Sequence, residues 1–413
     1  MDSLRPAIHR AKYLLVEPGV LLENAAVRVS AAGRITAVEP WDPARRGRVQ
    51  DWGPALIMPG LVNAHTHLEL TSAAARISPG AGFTGWLLQV IERRREMSER
   101  DRVESTREGA RLALLSGTTL IGDISSGGPA AGVLHAIAAR RVVFFETLAL
   151  APERAATAWR KTRSMLERAL AAGLLSPGVS PHAPYSVSPG LYRLAAGFAL
   201  SRRLRLCTHA AETRAEAEFL ARGTGEFTPF LERLGSLPPG WEAPALGPIA
   251  YLDRLGVLGG RTLLIHCNYL STEDVARIRR RRCSVVFCPR SHARFGHRHH
   301  PVRRLLDAGV NVALGTDSLA SNDSLSMLDE MRYLFRCRKD LNASEIVRMA
   351  TVGGAAALGQ GRLCGRLGQG FSADMTVLEF PGKVSPRRVE AALLEGAGAW
   401  AATVVQGRVF RRK

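Results

Sequence analysis

Pro59-Gly60-Leu61-Val62-Asn63-Ala64-His65-Thr66-His67 is an apolar run that ends in two histidines spaced i, i+2. On a β-strand such residues project to one face, so His65 and His67 reach a single ion wherever the strand end opens into a cavity. A His-x-His pair alone carries little weight. Its weight here comes from downstream, where four later strand-like segments each deliver a His or Asp at their C-terminal end.

Eight strand-like segments follow one another: Ala55 to Asn63, Thr118 to Ile124, Val142 to Leu150, Gly178 to His182, Leu204 to His209, Thr262 to His266, Ser284 to Cys288 and Val310 to Thr316. Amphipathic stretches such as Trp86 to Met97, Glu104 to Leu115 and Ala155 to Ala172 lie between them. Strand-helix alternation implies parallel pairing, and eight repeats close an α/β fold of the (β/α)8 TIM barrel type. An open doubly wound sheet is the alternative, but no Gly-x-Gly-x-x-Gly follows any strand. Short β-like pieces with intervening turns occupy residues 12 to 52 and recur near the C-terminus, as in Asp374 to Leu378 and Ala401 to Phe410. Both ends are expected to join in a small composite β-sandwich, with boundaries at 1–57, 58–362 and 363–413. The Gly- and Pro-rich stretch Gly223 to Pro248 reads as a lid or loop over the strand ends.

In such barrels the chemistry sits at the C-terminal strand ends. That filter collects His65 and His67, then His182, His209 with Glu212, His266, and Asp317 with Ser318. Three imidazoles and a carboxylate suit one divalent metal ion, Zn2+ or Fe2+, with a position left open for water. The expected ligands are His65, His67, His209 and Asp317. An ion so held acidifies water toward neutrality and supplies a hydroxide nucleophile. Glu212, three residues beyond His209, is placed to carry a proton to a leaving group, His266 to orient the water, and Asp317 to accept its proton. A rival cluster, His292, His297, His299 and His300, follows the seventh strand, and no strand fixes its geometry. Substrate contact or loop solvation is the expectation for it.

The chain has 413 residues, a formal charge of +19 and 46% hydrophobic residues, which suits a large globular core. Only five of its 56 basic residues are lysines. The arginines are scattered over helix-like segments without interleaved aromatics, so no nucleic-acid surface is expected. The sequence shows neither a secretory leader nor an apolar run of membrane-spanning length, which points to a cytoplasmic protein with no membrane association. Six cysteines without a Cys-x-x-Cys pair read as reduced, buried hydrophobes.

These motifs resemble the amidohydrolase superfamily, in its branch of cyclic-imidate deaminases and chlorohydrolases. The matching pieces are Pro59 to His67, Ser180-Pro181-His182-Ala183-Pro184-Tyr185, His209-Ala210-Ala211-Glu212, His266, Cys288-Pro289-Arg290-Ser291 and Gly315-Thr316-Asp317-Ser318. The resemblance implies a mononuclear site with the four ligands above, Glu212 and His266 in proton transfer, His182 near a small-molecule substrate, and a homodimer. Two-metal members use a carboxylated lysine from a middle strand, and no lysine lies between Lys161 and Lys339.

The segments His67 to Thr71, Phe83 to Leu87 and Cys288 to His297 are similar to aminodeoxyfutalosine deaminases of menaquinone biosynthesis. Adenosine-type relatives often carry an acidic residue just before the tryptophan to hold ribose hydroxyls. Gly85 stands there, leaving Glu69 as the candidate replacement. Substrate contacts are expected from His182, Glu69, Trp86, Arg290, His292 and Ser318, with Arg290, His292 and Arg294 suited to a substrate carboxylate. The alternatives are deamination of S-adenosylhomocysteine or methylthioadenosine, hydrolysis of another ring such as guanine, 8-oxoguanine, cytosine or a triazine, and a scaffold that kept the barrel without catalysis.

Overall fold

The computed structural model describes residues 5–411 except 45, 79, 81, 174–175 and 381–383. Its centre is a sheet of eight parallel strands: β6 (Leu61–Thr66), β7 (Thr118–Ser125), β8 (Arg140–Thr147), β9 (Ser176–Pro181), β10 (Arg205–Ala210), β11 (Thr262–His266), β12 (Ser284–Phe287) and β13 (Asn311–Leu314). They are hydrogen-bonded in sequence order, with helices in the connections, as expected for a (β/α)8 barrel. β6 and β13 meet without a ladder. Side chains and loop backbone close that seam instead: the Asn63 amide donates to Thr316 Oγ1 (2.7 Å), Thr316 N to Asn63 Oδ1 (3.1 Å), and Asp317 N to His65 O (3.1 Å). Gly315 permits the approach, since a Cβ there would sit 2.9 Å from the His65 backbone oxygen.

The second sheet comes from both chain ends. β1 (Ala7–Glu17), β2 (Val20–Val29), β3 (Ile35–Pro40), β4 (Val49–Asp51) and β5 (Ala55–Pro59) precede the barrel, and β14 (Met375–Glu379), β15 (Ala399–Val405) and β16 (Arg408–Phe410) follow it. The order is β16-β15-β14-β5-β1-β2-β3, with β4 on β1, so the composite unit is one connected sheet. The segments that lead into β3 and into β14 meet in an antiparallel bridge between Arg34 and Ser372. Alternate residues, Ala11, Val27, Ile57, Val377 and Val404 among them, bury a core separate from that of the barrel. The run Ala55 to Asn63, read above as one strand, changes sheets at Gly60: β5 pairs with β14 and β6 with β7. Arg140 on β8 ties the sheets together, with Nε 2.6 Å from Asp374 Oδ2 and Nη2 2.7 Å from Ser372 Oγ.

Candidate active site

Every strand that ends in a candidate ligand delivers it to the same end of the barrel. His65 is the penultimate residue of β6, His209 that of β10, and His266 ends β11. Four non-glycine residues there, Ala211, His266, Cys267 and Asp317, take left-handed backbone angles (φ +52°, +70°, +54° and +59°). Such conformations cost energy and persist where the surroundings impose them, commonly at functional sites.

The ligand atoms of His65, His67 and Asp317 lie within 4.8 Å of one another, as do those of His65, His209 and His266. His67 Nε2 is 3.4 Å from His209 Nε2, and Asp317 Oδ1 is 3.5 Å from His65 Nε2 and 3.8 Å from His67 Nε2. The donor set fits a cation on three counts. His209 Nδ1 lies 3.0 Å from His182 O and donates to it, leaving Nε2 with its lone pair. Asp317 spends Oδ2 on the hydroxyls of Ser291 (2.9 Å) and Ser321 (2.6 Å), which leaves Oδ1 to the histidines. His65 Nε2 is buried without a hydrogen-bond partner.

Burial sets the protonation states. It lowers His67 to about 3, helped by His65 and opposed by Asp317 and Glu146, and holds His209 well below its ordinary value, with His182 and His65 adding to the effect. Both rings are neutral at physiological pH, as metal ligands must be. Burial alone raises Asp317, but His65, His266 and His67 outweigh it and hold the carboxyl well below its usual range. For Glu212, burial acts with Asp317 and Glu216 to push the carboxyl well above that range. His266, lowered to about 3 by burial against the pull of Asp317, has its Nε2 3.3 Å from Glu212 Oε1. The loop carrying Glu212 is clamped from below, with Glu216 Oε2 accepting Glu212 N at 2.8 Å and Asn268 Nδ2 donating to Glu212 O at 2.9 Å.

Above this floor opens a cavity of about 620 Å³, lined by His67, His182, His209, Glu212, His266, Asp317 and Ser318. Its wall is apolar. The helix Gly82–Glu96 turns Phe83, Trp86, Leu87, Val90, Ile91 and Arg94 toward it at helical spacing. Leu148, Leu150, Tyr185, Phe230, Leu231 and Leu234 complete it. The last three belong to the stretch read above as a lid, which contains the helix Phe227–Arg233. His182 donates through Nδ1 to Ser186 Oγ (2.7 Å), because that hydroxyl donates in turn to Ala183 O (3.1 Å). Trp86 Nε1 donates to Ala320 O (3.0 Å), so its ring faces the cavity as a wall.

Four residues expected to meet the substrate lie elsewhere. Both Glu69 oxygens are occupied, Oε1 by Ser125 Oγ (2.5 Å) and Ser126 N (2.9 Å), and Oε2 by Ser126 Oγ (2.5 Å). Arg290 is bound to Ser324 Oγ (2.8 Å) and Asp323 (3.2 Å), and Arg294 to the same Asp323 (3.3 Å). His292 stacks against His297, with ring centres 5.2 Å apart. None of these residues lines the cavity. The rival histidine cluster supports the floor from behind: His300 lies flat on Phe287 (3.7 Å) and donates through Nε2 to His266 O (2.8 Å), while His299 stays exposed. Conversely, the lining includes a pair that the strand-end reading passed over, buried Glu146 on β8 and half-buried Arg94, joined at 3.1 Å. The signal was the polar Glu146-Thr147 break within the apolar run Val142 to Leu150.

Residues 56–410 match the amidohydrolase family. An aminodeoxyfutalosine deaminase of Deinococcus radiodurans is 34% identical over 74% of this chain and 74% of its own length. A 5-methylthioadenosine/S-adenosylhomocysteine deaminase of Syntrophobacter fumaroxidans is 31% identical over 84% of this chain and 78% of its own. Among solved structures, an adenosine deaminase of Xanthomonas campestris with bound zinc superposes with a TM-score of 0.80 at 26% identity, covering 98% of this chain and 92% of that one. The family match across most of the chain, together with relatives above 30% identity over comparable lengths, makes this protein a member of the amidohydrolase family, an enzyme of the hydrolytic deaminase kind.

Proposed function

We propose that this enzyme hydrolytically deaminates a 6-aminopurine nucleoside carrying a bulky, largely apolar substituent, with aminodeoxyfutalosine as the first candidate. The observation that carries the reading is the cavity of about 620 Å³, which joins the His/Asp cluster and Glu212 to a deep apolar wall. A free base such as guanine or cytosine leaves that wall uncovered, and exposed apolar surface contributes nothing to binding. Arg154 also lines the cavity, exposed and without an acidic partner among the described residues, and suits the carboxylate that aminodeoxyfutalosine carries. The 34% identical relative supports the same substrate.

His65, His67, His209 and Asp317 would hold one divalent ion, Zn2+ or Fe2+. When bound, it lowers the pKa of water toward neutrality. Asp317, whose Oδ1 carries no hydroxyl donor, takes the proton of the attacking water. Glu212 holds a proton against the ring nitrogen next to C6, and His266 fixes the orientation of that carboxyl. With hydroxide added at C6 and the proton of Glu212 on the ring nitrogen, Asp317 returns its proton to the amino group, Glu212 takes up the hydroxyl proton, and the C6–N bond breaks to release ammonia and leave a lactam.

Ammonia release from aminodeoxyfutalosine, S-adenosylhomocysteine, methylthioadenosine, adenosine, guanine and cytosine by the metal-analysed protein tests the reading. Release confined to 6-aminopurine nucleosides, lost in Glu212→Gln, is expected. The relative at 31% identity makes methylthioadenosine and S-adenosylhomocysteine the second candidates. Turnover of free bases alone, or a metal-loaded protein silent on the whole panel, overturns the substrate class.

A further inference from the structure

Glu146 has no part in the chemistry above, yet it occupies the cavity. It is the penultimate residue of β8, its side chain is 4% exposed, and it lines the cavity beside His67, His182 and Arg94. Arg94 Nη1 engages Oε2 at 3.1 Å, while Oε1 is buried with no hydrogen-bond partner. A buried carboxylate oxygen without a donor is costly, and an ionised carboxylate only accepts. Ionised it is: burial opposes the charge, but Arg94, with His182 and His67, prevails and brings the carboxyl down to about 2. Its place in the chain narrows the ligand further. Glu146 stands where the polar floor gives way to the apolar wall, two residues before Leu148 and four before Leu150. A nucleoside whose base lies over the floor and whose substituent covers the wall sets its sugar at that junction.

We infer that Glu146 is the specificity residue for the sugar, its unengaged Oε1 accepting ribose hydroxyls while Arg94 fixes the carboxylate. The inference rests on the nucleoside reading above and assigns the sugar to a residue other than Glu69. Arg94 is the positioning partner.

The test compares methylthioadenosine with its 2′-deoxy and 3′-deoxy forms on the metal-loaded wild type and on Glu146→Gln. Loss of a hydroxyl should raise KM roughly ten- to a hundredfold in the wild type at similar kcat, the range of hydrogen bonds to charged groups. In Glu146→Gln, whose amide oxygen still accepts but without the charge, the spread among the three compounds should shrink to within a few-fold, at a weaker level overall and with kcat within a few-fold of wild type. Equal KM for all three in the wild type overturns the inference, and this comparison stands even where the variant does not fold. A fall in kcat common to all substrates in Glu146→Gln, without change in their ranking, overturns it as well. Calorimetric Kd values of the same compounds on Glu212→Gln separate the two readings: binding graded by hydroxyl content, with no ammonia released by the wild type, supports the sugar contact and removes the deamination step, whereas binding of none removes both.

Discussion

His9 stacks on Trp52 and accepts its indole N–H at 3.3 Å, and burial, with Arg48 and Arg411, lowers it to about 4. The unfolded chain binds that proton from about pH 6.5, the folded chain only near pH 4, so stability is lost as pH falls through this window. The loss reaches about 2 kcal/mol by pH 5. Thermal unfolding at pH 7.5 and pH 5 should show a smaller drop for His9→Asn than for the wild type; equal drops contradict it. At the floor, Glu212→Gln should reduce kcat by roughly 10²- to 10⁴-fold with metal content and melting temperature unchanged. His209→Ala should lose metal as well as activity, read by elemental analysis of the purified protein. The candidate ligands were legible because each sits at a strand end, where position implies direction. Arg290, His292 and Glu69 lie on connections, where nothing in the local pattern tells a cavity from an anchoring contact. Their partners Asp323, Ser324, Ser125 and Ser126 are remote in sequence and took them.

The seam between β6 and β13 binds the fold to the site. Gly315 passes so close to His65 that a Cβ would lie 2.9 Å from its side chain and carbonyl oxygen, and Asp317 follows two residues later. Gly315→Ala should therefore cost about 1–3 kcal/mol by overpacking and also reduce metal content, since both edges of the seam carry candidate ligands. Normal metal content in a destabilised Gly315→Ala would separate seam from site. The eight barrel strands were readable from apolar runs between amphipathic stretches, to within a few residues at most ends. Two boundaries were not. Ala55 to Asn63 is apolar throughout because both sheets bury it, so only Pro59-Gly60 marks the change of sheet. β8 ends at Thr147 rather than Leu150, which hid Glu146 inside a presumed strand.

At the scale of the molecule, Asp374 is the joint between the sheets. Its Oδ1 accepts from Ser372 Oγ (2.9 Å) and Gln406 N (2.8 Å), its Oδ2 pairs with Arg140 at 2.6 Å, and the side chain is 1% exposed. Asp374→Ala should cost roughly 3 kcal/mol, because it strands Arg140 and two further donors. If both sheets share one cooperative unit, a single unfolding transition moves down; two resolved transitions would show that the barrel outlasts the end sheet. Charge was fully visible in the sequence but not its disposition: many arginines pair along helices, as Arg111 with Glu108 and Arg163 with Glu167. Among the described residues no helix is long and apolar enough to cross a membrane. The register that pairs Pro59 with Met375 also sets an order of events during synthesis. At about 5–20 residues per second, β5 leaves the ribosome roughly a quarter of a minute to a minute before its partner strand β14 exists. Throughout that interval the nascent protein presents the edge of a fully apolar strand, Ala55-Leu56-Ile57-Met58-Pro59, to whatever else is being translated nearby.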